Sequence, residues 1–296
     1  LYTSIYKDKL NNFYLIGSGD PDLTLIEILK LLNKTQFRNS FNVNIIEINK
    51  KNKWPIGWTE NDKLYSYGSP ITSLALKSNQ NKYESIDFIK NEIYNFLKYK
   101  YPNNKFNVSI MEYNKKFKNK LNLVYQIPSN PFISLITLAN SESHNFTAEA
   151  LYKNASKSWN NNNYKDLQNF LKIKGLPVKN ISINDASGLS RNNRVTTNLT
   201  ALFLYKMRYH NKFDFYNSSL SIMGIRGTLA NKMQNTKLKG RFFGKTGTLS
   251  NVFALSGYLY KKDEIITISL MQNSQNININ KTFKLLLDIY ELEKCY

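Results

Sequence analysis

Apolar and polar positions alternate from the first residue. Leu1-Tyr-Thr-Ser-Ile-Tyr6 reads as a strand already under way. Residues 15–23 run from a strand into a Gly/Pro turn. Thr24 is placed to cap a short helix with Ile28, Leu29 and Leu32 inward. Residues 41–48 alternate like a strand, with one slip at Ile46. Over residues 82–100 the period becomes helical. Ile86, Ile89, Ile93, Phe96 and Leu97 share a face, and Pro102 stops the helix.

The second half has a different rhythm. Residues 131–154 read as helix, loop, helix, and residues 198–209 as another helix. Residues 252–260 and 265–271 are two strands, joined as a hairpin at Lys261-Lys-Asp-Glu264. Residues 279–293 form a closing amphipathic helix, with Phe283, Leu286, Leu287, Ile289 and Tyr290 on or near its apolar side. No internal repeat stands out. Helices packed on an antiparallel sheet make the expected fold class α+β.

Composition narrows the picture. The 296 residues are 42% hydrophobic, enough for one large domain or two smaller ones with real cores. The longest apolar runs, such as residues 265–271, are strand-sized and contain Thr267 and Ser269. They fall far short of the roughly 20 residues a membrane helix needs, so no integral membrane segment is expected. A basic stretch followed by an apolar one is absent at Leu1, and the pattern opens mid-strand. An N-terminal part is therefore expected to precede Leu1. Cys295 is the single cysteine, and His144 and His210 are the two histidines. That set offers no internal disulfide and no Cys-based or His-rich metal site, so neither metal nor cofactor is expected.

The net charge of +20 suggests a polyanionic partner, yet the lysines are spread along the whole chain, among abundant Asn, Ile and Tyr. Compositional bias is the plainer explanation. No nucleic-acid-binding motif accompanies the charge, and nucleic acid is not an expected partner. Attraction to acidic polymers still follows from it.

Three clusters carry chemistry. Arg241-Phe-Phe-Gly-Lys-Thr-Gly-Thr-Leu-Ser250 lies directly before a strong strand. Lys245 supplies a cation at a strand edge, Thr246 and Thr248 supply hydroxyls, and Gly247 lets a substrate backbone approach. This suits a peptide laid along a sheet edge with its carboxylate held. A lone Lys-Thr-Gly is also an ordinary solvated turn. Ser143-His144-Asn145 precedes a helix. Its serine can shuttle a proton and its amide can hold a carbonyl, although both residues are equally at home as an N-cap. Asp185-Ala-Ser-Gly-Leu-Ser-Arg191 makes a tight loop whose Arg191 suits either a substrate carboxylate or a structural ion pair.

Ser-x-Asn followed downstream by Lys-Thr-Gly resembles two of the three signature elements of penicillin-binding proteins and serine β-lactamases. The flanks resemble the class C low-molecular-mass penicillin-binding proteins, the D-Ala-D-Ala carboxypeptidase/endopeptidase family. The matching stretches are residues 17–23, 58–70, 143–151, 185–195, 224–229 and 244–258, in the family's order over nearly the whole chain.

The resemblance implies a β-lactamase/transpeptidase-like domain carrying an inserted smaller α/β domain. Here residues 1–126 would be the insertion, reduced in length, and residues 127–296 the catalytic domain. It implies acyl transfer from peptidoglycan stem peptides, inhibition by β-lactam antibiotics, and a place in the periplasm or cell envelope. Ser143, Asn145 and Lys245 would fill the second and third motifs. Ser143 would relay a proton to the leaving amine, Asn145 would bind the substrate amide, and Thr246 and Thr248 would contact the terminal carboxylate. Trp58 and Asp62 match the segment where the family places an acid for a stem-peptide ammonium, and Leu189 and Arg191 match the loop lining the same pocket.

The first motif, Ser-x-x-Lys at a helix start, is not legible. Ser4-Ile-Tyr-Lys7 fits by letters but sits in an alternating strand followed by a polar turn, and Ser73 to Lys77 is one residue too long. The nucleophile is expected upstream of Leu1. A catalytically dead, peptidoglycan-binding paralogue is the alternative. His144 and Arg226 stand where many members have acidic residues.

Overall fold

The structure, a computed structural model, describes residues 1–48, 53–80, 86–113, 121–157, 159, 164–262 and 264–292. The chain forms two compact units. One holds Leu1–Phe132 and Asn145–Asn163; the other holds Ile133–His144 and Tyr164–Tyr296.

A five-stranded sheet organises the first unit, in the order β4-β3-β2-β1-β5. β1 (Tyr2–Lys7) lies antiparallel to both β2 (Asn12–Gly17) and β5 (Asn122–Pro128). β3 (Phe41–Glu47) and β4 (Phe106–Glu112) extend the sheet in parallel from β2. Parallel neighbours need crossovers, and α1 (Leu25–Lys34) and α2 (Ile86–Lys100) lie on those connections. α1 begins as the sequence predicts. The Thr24 hydroxyl accepts from the Glu27 N–H while the Glu27 carboxylate accepts from the Thr24 N–H. Ile28, Leu31 and Leu32 of α1, with Ile89, Ile93 and Leu97 of α2, pack into one core with Phe13, Leu15, Val43 and Ile45. The slip at Ile46 has a simple cause: Val43 to Glu47 is buried on both faces, so the one-sided alternation is lost. The predicted start of the 82–100 helix falls partly outside the described residues.

The units do not divide at residue 126, as two consecutive stretches would. α4 (Asn145–Ala155) belongs with the first unit although it follows the boundary in sequence. It buries Phe146, Thr147, Glu149, Ala150 and Lys153 there. Asn154 Nδ2 donates to Ser18 O at 2.7 Å, and Ala150 and Trp159 crowd Gly19.

The second unit carries an all-antiparallel sheet, ordered β6-β7-β8-β9. Its strands are β6 (Ser221–Ile222), β7 (Phe242–Leu249), β8 (Val252–Lys261) and β9 (Glu264–Asn273). The β8–β9 pair is the predicted hairpin; Asp263 in its turn lies outside the described residues. α8 (Ile279–Glu291) contributes Phe283 and Leu286 to a core with Phe242, Phe253, Leu255, Leu259 and Ile268. A second cluster joins Leu204 of α6 (Thr197–Arg208), Leu220 and Tyr258, with Phe213 of α7 (Phe213–Ser218) packed against it. The Tyr258 hydroxyl donates to Leu204 O at 2.9 Å, which satisfies its buried polar tip. α3 (Phe132–Asn140) and α5 (Lys165–Ile173) complete the unit's helices among the described residues. Among those residues no helix is long and apolar enough to cross a membrane. Cys295 lies outside them.

Candidate active site

Lys245 sits midway along β7, opposite Ser256 of β8. Its ammonium donates to Ser143 Oγ at 2.7 Å and to Thr246 O at 2.6 Å. Burial disfavours the charged form and pushes its pKa from 10.5 down to about 8. A lysine so tuned is partly neutral near physiological pH and can take up or release a proton.

Ser143 is brought to Lys245 by a wide turn after α3. The Ser141 N–H donates to Thr137 O at 2.7 Å, and the His144 N–H reaches back to Leu138 O at 3.1 Å. Ser143 occupies the tip with φ +60°, a left-handed conformation costing an L-residue roughly 1–2 kcal/mol. Ser143 is therefore not an ordinary N-cap. Its hydroxyl is held on Lys245.

A run of hydroxyls ties the same turn to β7. The Thr246 hydroxyl donates to Thr228 Oγ1 at 2.8 Å. Thr228 and Ser221 hydroxyls lie 3.1 Å apart, and Ser221 donates to Ser141 O at 2.9 Å. Ser221 spends its proton on that carbonyl, so Thr228 donates to Ser221. Each hydroxyl then donates once and the chain runs in one direction, from Thr246 to the Ser141 carbonyl. The Thr228 N–H also donates to Ser141 O, at 3.0 Å. Gly227 makes this approach feasible. It has φ +68°, and a Cβ there would collide with Ser141 and the Ser221 hydroxyl. Thr228 and Ser221 were not singled out from sequence. Their only signal was the match at residues 224–229, which contains Thr228 and lies just beyond Ser221.

Gly247 differs from Gly227. Its φ is not left-handed, and an added Cβ would meet only Ala254 Cβ, at an ordinary 3.7 Å. Among the described residues no contact requires glycine at this exposed position. Thr248 beside it is exposed too.

The other predicted residues are divided between the two units. Asn145 opens α4 and donates through Nδ2 to Tyr67 O at 3.0 Å within the first unit. In the second unit, Leu189 is buried and Arg191 is half-buried on a loop built around Asp185. The Asp185 carboxylate accepts from Gly188 N, Ser190 N, Ser187 Oγ and Asn193 Nδ2, so the loop is rigidly wound. Asp62 and Trp58 lie in the first unit. Asp62 was expected to present its carboxylate to an ammonium, but it is buried. That carboxylate accepts from Thr59 N at 2.9 Å and Thr59 Oγ1 at 2.6 Å, closing a local turn. Trp58 is buried as well.

Arg226 is explained by its contacts. Its Nη2 donates to the carbonyls of Ser218 and Leu220, at the end of α7. It serves as a C-terminal cap, a use for which a cation suits and an acid does not. Ser4 and Lys7 lie in β1, where residues three apart point to opposite faces. They form no helix-start pair, as the sequence pattern predicted.

Comparison with known proteins adds a family to this geometry. A D-alanyl-D-alanine carboxypeptidase of Actinomadura sp. is 34% identical over 107 residues, which is 34% of this chain but only 20% of that relative. Penicillin binding protein 4 from Haemophilus influenzae aligns over 98% of this chain and 86% of its own, with 15% identity and a TM-score of 0.76. A predatory peptidoglycan endopeptidase from Bdellovibrio bacteriovorus aligns over 100% and 82%, with 13% identity and a TM-score of 0.57. At such identities these two matches establish the shared α+β fold. A family model for D-Ala-D-Ala carboxypeptidase 3 (S13) matches residues 90–288, and this chain belongs to that family.

Proposed function

We propose that the protein is a serine-type D-Ala-D-Ala carboxypeptidase/endopeptidase that acts on peptidoglycan stem peptides through an acyl-enzyme, in the periplasm or cell envelope. The observation that carries this reading is the 2.7 Å bond from Lys245 Nζ to Ser143 Oγ, made by a lysine whose pKa burial lowers to about 8. Because Lys245 donates to Ser143, the serine's own proton is available for another acceptor. That is the arrangement a general acid needs to protonate a leaving amine. Asn145 is the proposed partner of the substrate amide. The exposed edge residues Gly247 and Thr248, with Thr246, would receive the terminal carboxylate and an oxyanion. Arg191 is proposed to meet a second carboxylate on the stem.

The nucleophile is proposed to come from a Ser-x-x-Lys segment outside these residues. Residues 1–126 are proposed to be an accessory insertion, extended by α4. Penicillin binding protein 4 has been solved with a β-lactam, and the Bdellovibrio endopeptidase acylated by penicillin G. β-Lactams are accordingly the proposed inhibitors here. Labelling of the full-length protein with a fluorescent penicillin tests the reading. A folded full-length protein that takes up no label would overturn it in favour of a non-catalytic binder.

A further inference from the structure

A second site lies within the first unit. A cavity of about 370 Å³ is walled by the end of β3, the 53–80 segment and the start of α2. That is the small end of the roughly 300–1,000 Å³ typical of ligand pockets.

Charge is the first clue to what it takes. The chain carries a net +20, yet the described wall has two acids, Glu47 and Asp87, against two lysines, Lys53 and Lys63. Lys53 is spent on Glu47, 2.8 Å away, and Lys63 pairs with Glu60. Among the described residues the wall is balanced although the protein is strongly basic. It suits a neutral ligand.

Aromatic rings are the second clue. Trp54 lines the cavity half-buried, its indole N–H donating to Gly68 O at 2.9 Å, so the ring is fixed. Tyr65, also in the wall, is 53% exposed and lies parallel to exposed Tyr67, with centroids 5.4 Å apart and planes 6° apart. Rigid rings of this kind bind at low entropic cost, and Tyr65 adds a polar tip, while the Lys63 ammonium lies 5.2 Å from the Trp54 ring centroid. The third clue is Ser73. It is 2% exposed, forms part of the wall, and its hydroxyl has no hydrogen-bond partner among the described residues. Leaving such a group unpaired is costly, and a bound acceptor or donor would recover that cost.

Aromatic faces, neutral hydroxyls and a balanced charge together match a sugar ring, whose C–H face is apolar and whose edge is all hydroxyls. We propose that this cavity binds an uncharged sugar ring of an oligosaccharide. The choice of an N-acetylated sugar rests on the proposed function, since that is the neutral sugar of the polymer concerned. The sugar class itself does not rest on it.

The test is titration of the 296-residue chain with an N-acetylglucosamine tetramer, followed by tryptophan fluorescence and calorimetry. The chain has three tryptophans, and Trp58 and Trp159 are buried, so a ligand in the cavity is expected to perturb Trp54. Trp54→Ala should weaken binding at least about tenfold, and Ser73→Ala by about three- to tenfold. Ser73→Ala removes a buried hydroxyl that bonds to nothing described, so its thermal midpoint should match or exceed the parent's. Trp54→Phe should keep most of the affinity and lose the fluorescence change. Equal affinity in the parent, Trp54→Ala and Ser73→Ala, no binding at millimolar tetramer, or tighter binding of an acidic galacturonate oligomer would each overturn the proposal. Penicillin labelling of the full-length protein reads the proposed function separately, so either idea can fail while the other stands.

Discussion

Lys245 Nζ and Ser143 Oγ, 102 residues apart in sequence, meet at 2.7 Å, and the serine reaches that point only by adopting a left-handed backbone. The strain and the bond occur at the same residue. Strain of this kind concentrates where a side chain must be aimed.

The two groups should therefore act as a unit. In the full-length protein, Ser143→Ala and Lys245→Met should each slow β-lactam acylation by about a hundredfold or more, the usual scale of a lost proton-transfer group. The double variant should be little worse than the poorer single one. Stopped-flow acylation kinetics measure this; losses that multiply would show that the two side chains work independently.

Lys245 also predicts a pH dependence of stability. Its folded pKa, about 8, lies below the unfolded value near 10.5. Below pH 8 the folded protein bears the full cost of burying the charge. Between 8 and 10.5 the unfolded chain binds more protons, so stability attributable to this group rises with pH. Relative to Lys245→Met, the parent should gain on the order of 2 kcal/mol between pH 7 and pH 10. Paired denaturation curves at the two pH values check the sign; a parent that loses stability relative to Lys245→Met as pH rises would contradict the burial argument.

Thr228 stands behind Thr246. Thr246 donates inward to Thr228. For Thr246 to donate outward to a carboxylate, Thr228 must turn its own proton from Ser221 to Thr246. Thr228→Val should then weaken binding of an acyl-D-Ala-D-Ala peptide by about fivefold to tenfold, and hardly affect its C-terminal amide. Thr228→Ser should behave like the parent. Calorimetry on the four combinations reads this directly, and equal losses for acid and amide would mean that Thr228 is only structural.

Asp62 makes the opposite prediction from the one its sequence position suggests. Its carboxylate caps the Thr59 turn. Asp62→Ala should lower stability by about 1–2 kcal/mol, as lost caps do, while leaving the preference for ammonium-bearing stem peptides unchanged. Thermal melts and peptide competition separate the two effects.

What the sequence made legible follows from where its signals come from. α1, α2, α8 and the β8–β9 hairpin are set by local periodicity and caps, and they appear where those signals put them. Lys245 and Ser143 were legible because their motifs are short and contiguous. The burial of Asp62 and Trp58 was not, because local letters do not say which way a turn faces. The attachment of α4 to the first unit depends on Asn154 meeting Ser18, 136 residues away, which no periodicity encodes. The hydroxyl run through Thr228 and Ser221 was hidden for the same reason: Ser221 reaches Ser141 across 80 residues.

The pairing of β1 with β5 places Tyr2 opposite Pro128, and the Ser129 N–H donates to Leu1 O at 2.9 Å. The path leaves the first sheet beside the point where it came in. Everything between can lengthen, shorten or be exchanged without moving those two neighbouring strands apart. Length changes between Lys7 and Asn122 are thus expected to be tolerated wherever they spare the surface that receives α4.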